Sequence, residues 1–206
     1  MAGLLKGVAF ITGAASGMFS DPFSNIRSHA DFPEGIGKAT AFAFAKNGVR
    51  QLGLGDINLR AIETTAAELN KQYPDLGVYP LQLDVGNEQS IDKAVASTAQ
   101  NFGSIDYAVN NAGVAGPLLR SAEHSLTEWQ KLMDVNLNGV WMSQRAEIRQ
   151  MLKQKPGDSY RTGRGVIINM SSMYGVIATS MNTPAIAYTT SKHAVVGKGI
   201  STKMER

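Results

Sequence analysis

Apolar residues fall along this chain in short β-branched runs, separated by longer stretches with helical spacing. "VAFIT" predicts a buried strand at about Val8–Thr12. "GIGKATAFAFAKNG" predicts a helix from about Ile36 to Lys46, stopped at Gly48. "VRQLGLGD" reads as a second strand ending at Asp56, and Asn58 then caps a helix to about Gln72, stopped near Pro74. "VYPLQLDV" is a third strand. Asn87 caps the helix "EQSIDKAVASTAQNF", which Gly103 ends. "IDYAVNNAG" is a fourth strand and its turn. Thr127 caps a long helix, "EWQKLMDVNLNGVWMSQRAEIRQMLKQK", followed by a polar loop, "QKPGDSYRTGRG". "GVIINMSS" is a fifth strand, and a last helix begins at Tyr188. Strands alternating with helices require crossover connections, hence a parallel sheet in an α/β fold.

Composition narrows the class. The 206 residues suit a single domain able to bury a sizeable core. Apolar residues make up 43% and charged residues 18%, which places the chain among globular proteins. The net charge of +3 is spread without a basic block, so no nucleic-acid partner is expected. The chain has no cysteine, which excludes disulfides and thiolate metal sites. The N-terminal apolar run is too short for a signal peptide or a membrane span, and a cytoplasmic protein is expected. His29 and Asp31 have no ligand partners in the sequence, so no metal site is expected. Trp129, Trp141, Met133 and Met142 read as core or interface residues.

The first strand ends in a glycine-rich turn that is interrupted. Without Gly17–Glu34 the text reads Thr-Gly-Ala-Ala-Ser-Gly-Ile-Gly. Strand, glycine-rich turn and helix form a dinucleotide-binding unit, whose N–H groups and helix dipole hold a pyrophosphate. Asp56, ending the second strand, is placed to accept hydrogen bonds from ribose hydroxyls. The intervening segment carries Pro22, Pro33, three phenylalanines and no helical period. It reads as an insert. Lengthening a loop from ~4 to ~22 residues costs only about 1.5 kcal/mol of closure entropy, so the fold tolerates it. A pyrophosphate turn, which needs converging N–H groups, is less tolerant.

Four further motifs follow in order. They are "NNAG" (Asn110–Gly113), "VNLNG" (Val135–Gly139), "INMSSMYG" (Ile168–Gly175) and "YTTSK" (Tyr188–Lys192). With the interrupted turn, the set resembles the classical short-chain dehydrogenase/reductase family of Rossmann-fold oxidoreductases, from about Leu4 to Gly197 without the insert. The resemblance implies a doubly wound parallel sheet of strand order 3-2-1-4-5. It implies NAD(P)-dependent interconversion of an alcohol and a ketone or aldehyde, and a homo-oligomer.

The residue types support that chemistry. Tyr188 and Lys192 are four apart and share a helix face. A phenol of pKa about 10 is a poor base near neutrality. An ammonium at ~4 Å, at an effective dielectric of ~20, is worth roughly 4 kcal/mol, or about three pKa units. The resemblance makes Tyr188 the acid/base and Lys192 a ribose ligand. It makes Ser172 the substrate-holding serine and Asn136 the residue that orders a relaying water. Ser171 is then the structural serine, though the two could exchange roles, and Asn136 could serve only to bend its helix. Gly13, Ser16, Gly35, Ile36 and Gly37 would carry the pyrophosphate turn. Asp84 is either an adenine contact, with Val85 beside it, or a turn-forming residue. Asn111, Ala112 and Gly113 would floor the adenosine side, while Tyr188 and Lys192 reach the nicotinamide ribose. His193 reads as a packed or surface histidine. Asp56, with no basic residue following it, favours NAD over NADP.

Family members continue beyond Tyr-x-x-x-Lys for further strands and a substrate-covering segment. A fold truncated after that helix, with the fifth strand at a sheet edge, is therefore expected here. The competing functional reading is a catalytically silent variant, acting at most as a cofactor-binding or interaction module.

Overall fold

The structure, a computed structural model, describes residues 4–15, 35–156, 163–180 and 184–201. Ser16 and the insert lie outside the described residues, as do His29 and Asp31. Five parallel strands form one sheet: β1 (Val8–Thr12), β2 (Gln51–Asp56), β3 (Gly77–Gln82), β4 (Tyr107–Asn110) and β5 (Val166–Asn169). Their order is β3-β2-β1-β4-β5. The registers Thr12↔Gly55, Thr12↔Asn110 and Asn110↔Asn169 bring the carboxyl ends of four strands to one edge. That edge is where open α/β sheets bind ligands.

Both sheet faces are covered, which explains the near-continuous apolar runs. On one face α1 (Ile36–Lys46) and α2 (Leu59–Gln72) pack Ala41, Ala45, Ile62 and Leu69 onto Ile11, Leu52 and Leu54. On the other, α3 (Glu88–Phe102) and α5 (Val140–Met151) pack Ile91, Val95, Ala146 and Met151 onto Phe10 and Ala108. Each such fully buried apolar side chain contributes about 1.5–3 kcal/mol. The last helix is α6 (Ile186–Ser201).

The expected caps at Asn58 and Asn87 form, accepting from Ala61 N and Ser90 N at 3.1 and 3.0 Å. Gly103 ends α3 at φ +89, a conformation that disfavours other residues. Four boundaries differ from the sequence expectation. Ser125, not Thr127, caps α4 (Leu126–Met133): its Oγ accepts from Glu128 N, and the Glu128 carboxylate accepts from Ser125 N, a reciprocal box. The long helix is not continuous, because it widens into a π-helical turn over Asp134–Gly139 before α5, which ends at Met151. And α6 begins one half-turn ahead of Tyr188, at Ile186. The third strand also stops at Gln82, because the Asp84 carboxylate turns the chain by accepting from Gly86 N at 2.8 Å.

As expected, β5 stands at the sheet edge. Among the described residues it pairs only with β4, and Ile168 is 42% exposed.

Candidate active site at the carboxyl edge of the sheet

The first part of the site is built from main chain. Gly13 follows β1 at φ +65, and a Cβ there would press on Ala112 Cα at 2.7 Å. Thr12 Oγ1 accepts from Asn111 N and Ala112 N, both at 3.1 Å. Asn111 Nδ2 donates to the carbonyls of Thr12 and Gly13 at 3.2 and 2.9 Å. This lacing fixes the turns after β1 and β4 to each other. Gly37, in the first turn of α1, is buried against the same spot, and a Cβ on it would collide with the Gly13 carbonyl. Gly35 precedes α1 as its N-cap without a capping side chain, and Ile36 is 63% exposed. The α1 N-terminus therefore offers main-chain donors beside Gly13.

Asp56 is buried at the end of β2. Its Oδ2 accepts from Ala15 N at 3.1 Å and its Oδ1 from Asn58 N at 3.0 Å. The carboxylate thus organises the turn after β1 as well as the start of α2. Asp84 is exposed and serves its own turn, while Val85 is buried with its carbonyl against Gly139.

The second part is built from side chains of α6, β5 and the π turn. Lys192 is only 2% exposed, and its Nζ donates to the Met170 carbonyl at 2.9 Å. That Nζ lies 5.6 Å from the centre of the Tyr188 ring. Burial pushes the Lys192 ammonium down to about 8. The Tyr188 phenol is hydrogen-bonded to the Ser172 side chain. Burial raises its pKa above the ordinary phenol value, and the Ser172 bond pulls the other way. The expected downward pull of Lys192 on Tyr188 does not prevail here. Desolvation of the phenolate dominates and the neighbouring Tyr174 adds to it, while the Lys192 ammonium is committed to Met170.

The two serines separate. Ser172 Oγ faces Tyr188 and accepts from Tyr174 N at 3.2 Å. Ser171 Oγ donates to the Lys192 carbonyl at 2.8 Å and so fastens α6 to the end of β5. Asn136 is fully buried within the π turn. Its Oδ1 accepts from Val114 N and its Nδ2 donates to Val114 O, both at 2.8 Å, with a longer bond to Ser191 Oγ at 3.3 Å. Gly113 joins the two groups: a Cβ on it would lie 3.2 Å from Asn136 Oδ1 and 3.6 Å from Lys192 Nζ. His193 is exposed and bonds its own helix at Thr189 O.

The structure thus brings together Asn136, Ser172, Tyr188, Lys192 and Gly113, and separately Gly13, Gly37, Asp56 and Asn111. It leaves Asp84 in a turn of its own. Sequence reasoning missed the polar side chains beneath Lys192: Gln144, Glu147 and Asn169. A signal existed, since Ser143, Gln144 and Glu147 occupy stripe positions between the buried Val140 and Met151.

A sequence model of the family described as short chain dehydrogenase matches residues 33–205. The chain belongs to the short-chain dehydrogenase family. A short-chain dehydrogenase of Neurospora crassa is 39% identical over 172 residues, covering 79% of this chain and 62% of that protein. Among solved structures, an NAD+-bound xylitol dehydrogenase superposes with a TM-score of 0.75 at 26% identity, covering 93% of this chain and 62% of that one. An alcohol dehydrogenase from the archaeon Thermococcus sibiricus, complexed with 5-hydroxy-NADP, gives 0.73 at 27% identity, covering 94% and 68%. The chain spans about three-fifths of the length of the Neurospora relative. The family match begins two residues before Gly35 and so excludes β1 and most of the insert. No described helix is long and apolar enough to cross a membrane.

Proposed function

We propose that this chain binds NAD and interconverts a secondary alcohol and a ketone, with Tyr188 as the group that moves the proton. The observation that carries this reading is the convergence of Tyr188, Ser172, Lys192 and Asn136 at the carboxyl edge of the sheet, next to a turn made for close main-chain approach.

The residues fit a dinucleotide. Gly13 and Gly37 leave no room for side chains where α1 meets β1, and the α1 N-terminus supplies donors for a pyrophosphate. Asp56 uses one lone pair of each oxygen on Ala15 and Asn58, which leaves acceptor capacity for ribose hydroxyls. A carboxylate there repels a 2′-phosphate, which favours NAD over NADP. The xylitol dehydrogenase and the archaeal enzyme carry different cofactors, so Asp56 supplies the argument. Lys192 and Asn111 line the path between the two halves. When bound, the nicotinamide accepts or supplies the hydride.

Ser172 donates to the substrate oxygen and holds it against the Tyr188 hydroxyl. Tyr188 takes the proton from an alcohol, or returns it to a ketone. Its pKa, raised by burial, must fall for the base to work. Lys192 supplies that charge if it leaves the Met170 carbonyl and turns toward the phenol. Asn136, with both amide groups engaged by Val114, holds the loop after β4 around Gly113 and borders the route by which Lys192 exchanges protons.

The substrate is uncharged in this reading. From Gly165 to Ser191 the sequence has no charged residue, and Met173, Val176 and Ile177, which follow Ser172, expose 62%, 70% and 46% of their surfaces. A wall of this kind offers nothing to a phosphate or carboxylate.

Calorimetric titration with NADH and NADPH, followed by turnover of neutral and of carboxylated secondary alcohols with NAD, tests the reading. It expects NADH to bind more tightly and the neutral alcohols to react. NADH binding without any turnover would instead support a silent cofactor-binding module, and no binding of either dinucleotide would overturn the assignment.

A further inference from the structure

Beneath Lys192 runs a chain of polar side chains that the proposed chemistry does not use. Glu147 on α5 is completely buried. Its Oε2 accepts from Asn110 Nδ2 at 2.9 Å, and its Oε1 has no hydrogen-bond partner among the described residues. Asn110 Nδ2 also donates to Asn169 Oδ1 at 2.9 Å, and Asn169 Nδ2 donates to Gln144 Oε1 at 3.0 Å. Asn110 and Asn169 are register partners at the last positions of β4 and β5.

Each asparagine is followed at once by a residue of the site. After Asn169 comes Met170, whose N–H donates to Asn110 O at 3.0 Å and whose carbonyl holds Lys192. After Asn110 comes Asn111, which laces Thr12 and Gly13. The network therefore grips the two strand ends from which the cation and the turn are hung.

An apolar side chain would fill the Glu147 site at less cost, since burying a carboxyl is unfavourable unless its hydrogen bonds are made. Burial pushes Glu147 up to about 7, with the Asn110 bond and the charge of Lys198 pulling it down. Lys198, on α6, is the charged group that faces it. Below neutral pH, Glu147 thus acts largely as a neutral hydrogen-bonding group. A glutamine mimics that state.

We infer that Glu147 is a positioning residue, which through Asn110 and Asn169 fixes the end of β5 and so places the Met170 carbonyl that holds Lys192. Its catalytic consequence rests on the reading of Lys192 given above. The placement itself does not.

The test titrates Lys192 by NMR in the full chain carrying 13Cε-labelled lysine, with the resonance assigned by Lys192→Arg. A carbonyl that accepts from an ammonium favours its charged form, so loosening Met170 lowers the Lys192 midpoint. Glu147→Leu removes the acceptor at similar volume and should shift the midpoint down by about half a unit or more. Asn169→Ala breaks the relay at a half-buried position and should do the same, which keeps the test decisive if Glu147→Leu fails to fold. Glu147→Gln should restore the native midpoint. An unchanged midpoint in Asn169→Ala, whatever the loss of thermal stability, would overturn the proposal. So would a Gln variant that shifts as far as the Leu variant, because direct charge rather than hydrogen bonding would then be at work. The titration reads Lys192 whether or not the chain turns over an alcohol. Absent NADH binding with these shifts intact would therefore count against the oxidoreductase reading alone.

Discussion

The two halves of the site are made of different materials. Around Gly13, Gly37 and Asp56 the contacts are close main-chain approaches laced by the Thr12 and Asn111 side chains, and the one carboxylate is spent on the N–H groups of Ala15 and Asn58. Around Tyr188 and Lys192 the contacts are made by buried side chains whose protonation is shifted by their surroundings. The first half tolerates almost no added volume and has little to lose from a change of charge, Asp56 aside. The second tolerates isosteric changes and loses its chemistry with a single oxygen. Shape and proton control are thus separable by mutation.

Tyr188→Phe tests that separation most severely. The phenyl ring keeps the edge contact with Tyr174, whose ring centre lies 6.4 Å away. Turnover should fall by about 10²–10⁴-fold, the range of lost acid/base catalysis, while NADH affinity stays within a few-fold. A variant that kept a tenth of the rate would remove Tyr188 from the role.

Gly37→Val should behave in the opposite way. Its side chain meets the Gly13 carbonyl and the Asn111 amide, neither of which can yield without unlacing the turn. Overpacking of this kind costs about 1–3 kcal/mol, seen as a lower thermal midpoint together with weakened NADH binding. Equal NADH affinity in the variant would show that the two glycines do not border the dinucleotide.

Asp56→Ser probes the one place where charge matters in the first half. Selectivity should move toward NADPH by about 1–3 kcal/mol, measured as a ratio of dissociation constants. Some general destabilisation should accompany it, because Ala15 N and Asn58 N lose their acceptor. An unchanged ratio would assign Asp56 to the loop alone.

Glu147→Gln is the mildest of the four, and its size depends on pH. The carboxyl titrates at about 7 in the fold against 4.5 for the free group, so folding favours its protonated form. That contribution is fully present below about 4.5 and is lost as the pH rises through about 7. Glutamine stays neutral throughout. The variant should match the native chain near pH 4 and exceed it at pH 8 by on the order of 1 kcal/mol, read from denaturant midpoints at each pH.

Local rules carried the sequence reading far. The strand order, the caps at Asn58 and Asn87, the stop at Gly103 and the edge position of β5 all follow from spacing, cap residues and family resemblance together. The Ser125 cap was legible too, because Ser-x-x-Glu at Ser125–Glu128 signals a reciprocal box, whereas Thr127 offered only a cap-forming side chain. Other features depend on distant chain. That Tyr188 is raised rather than lowered comes first from burial, and that Lys192 donates to the Met170 carbonyl depends on how α6 meets β5; neither can be read from a four-residue spacing. That Asp56 bonds Ala15 depends on how β1 and β2 end side by side. Asp84 was open between adenine and turn, and its bond to Gly86 accounts for the turn.

The π-helical turn at Asp134–Gly139 sets the phase of α5 against α4 at one point. A π turn holds about one residue more than the α-helical turn it replaces. Each α-helical residue advances the helix by about 100°. Winding the same residues as ordinary α-helix would rotate α5 by that angle relative to α4. Glu147 and Met151 would swing off the sheet, and Asn136 would lose its hold on Val114. The wide turn therefore keeps α5 in phase with α4 and holds its buried face on the sheet.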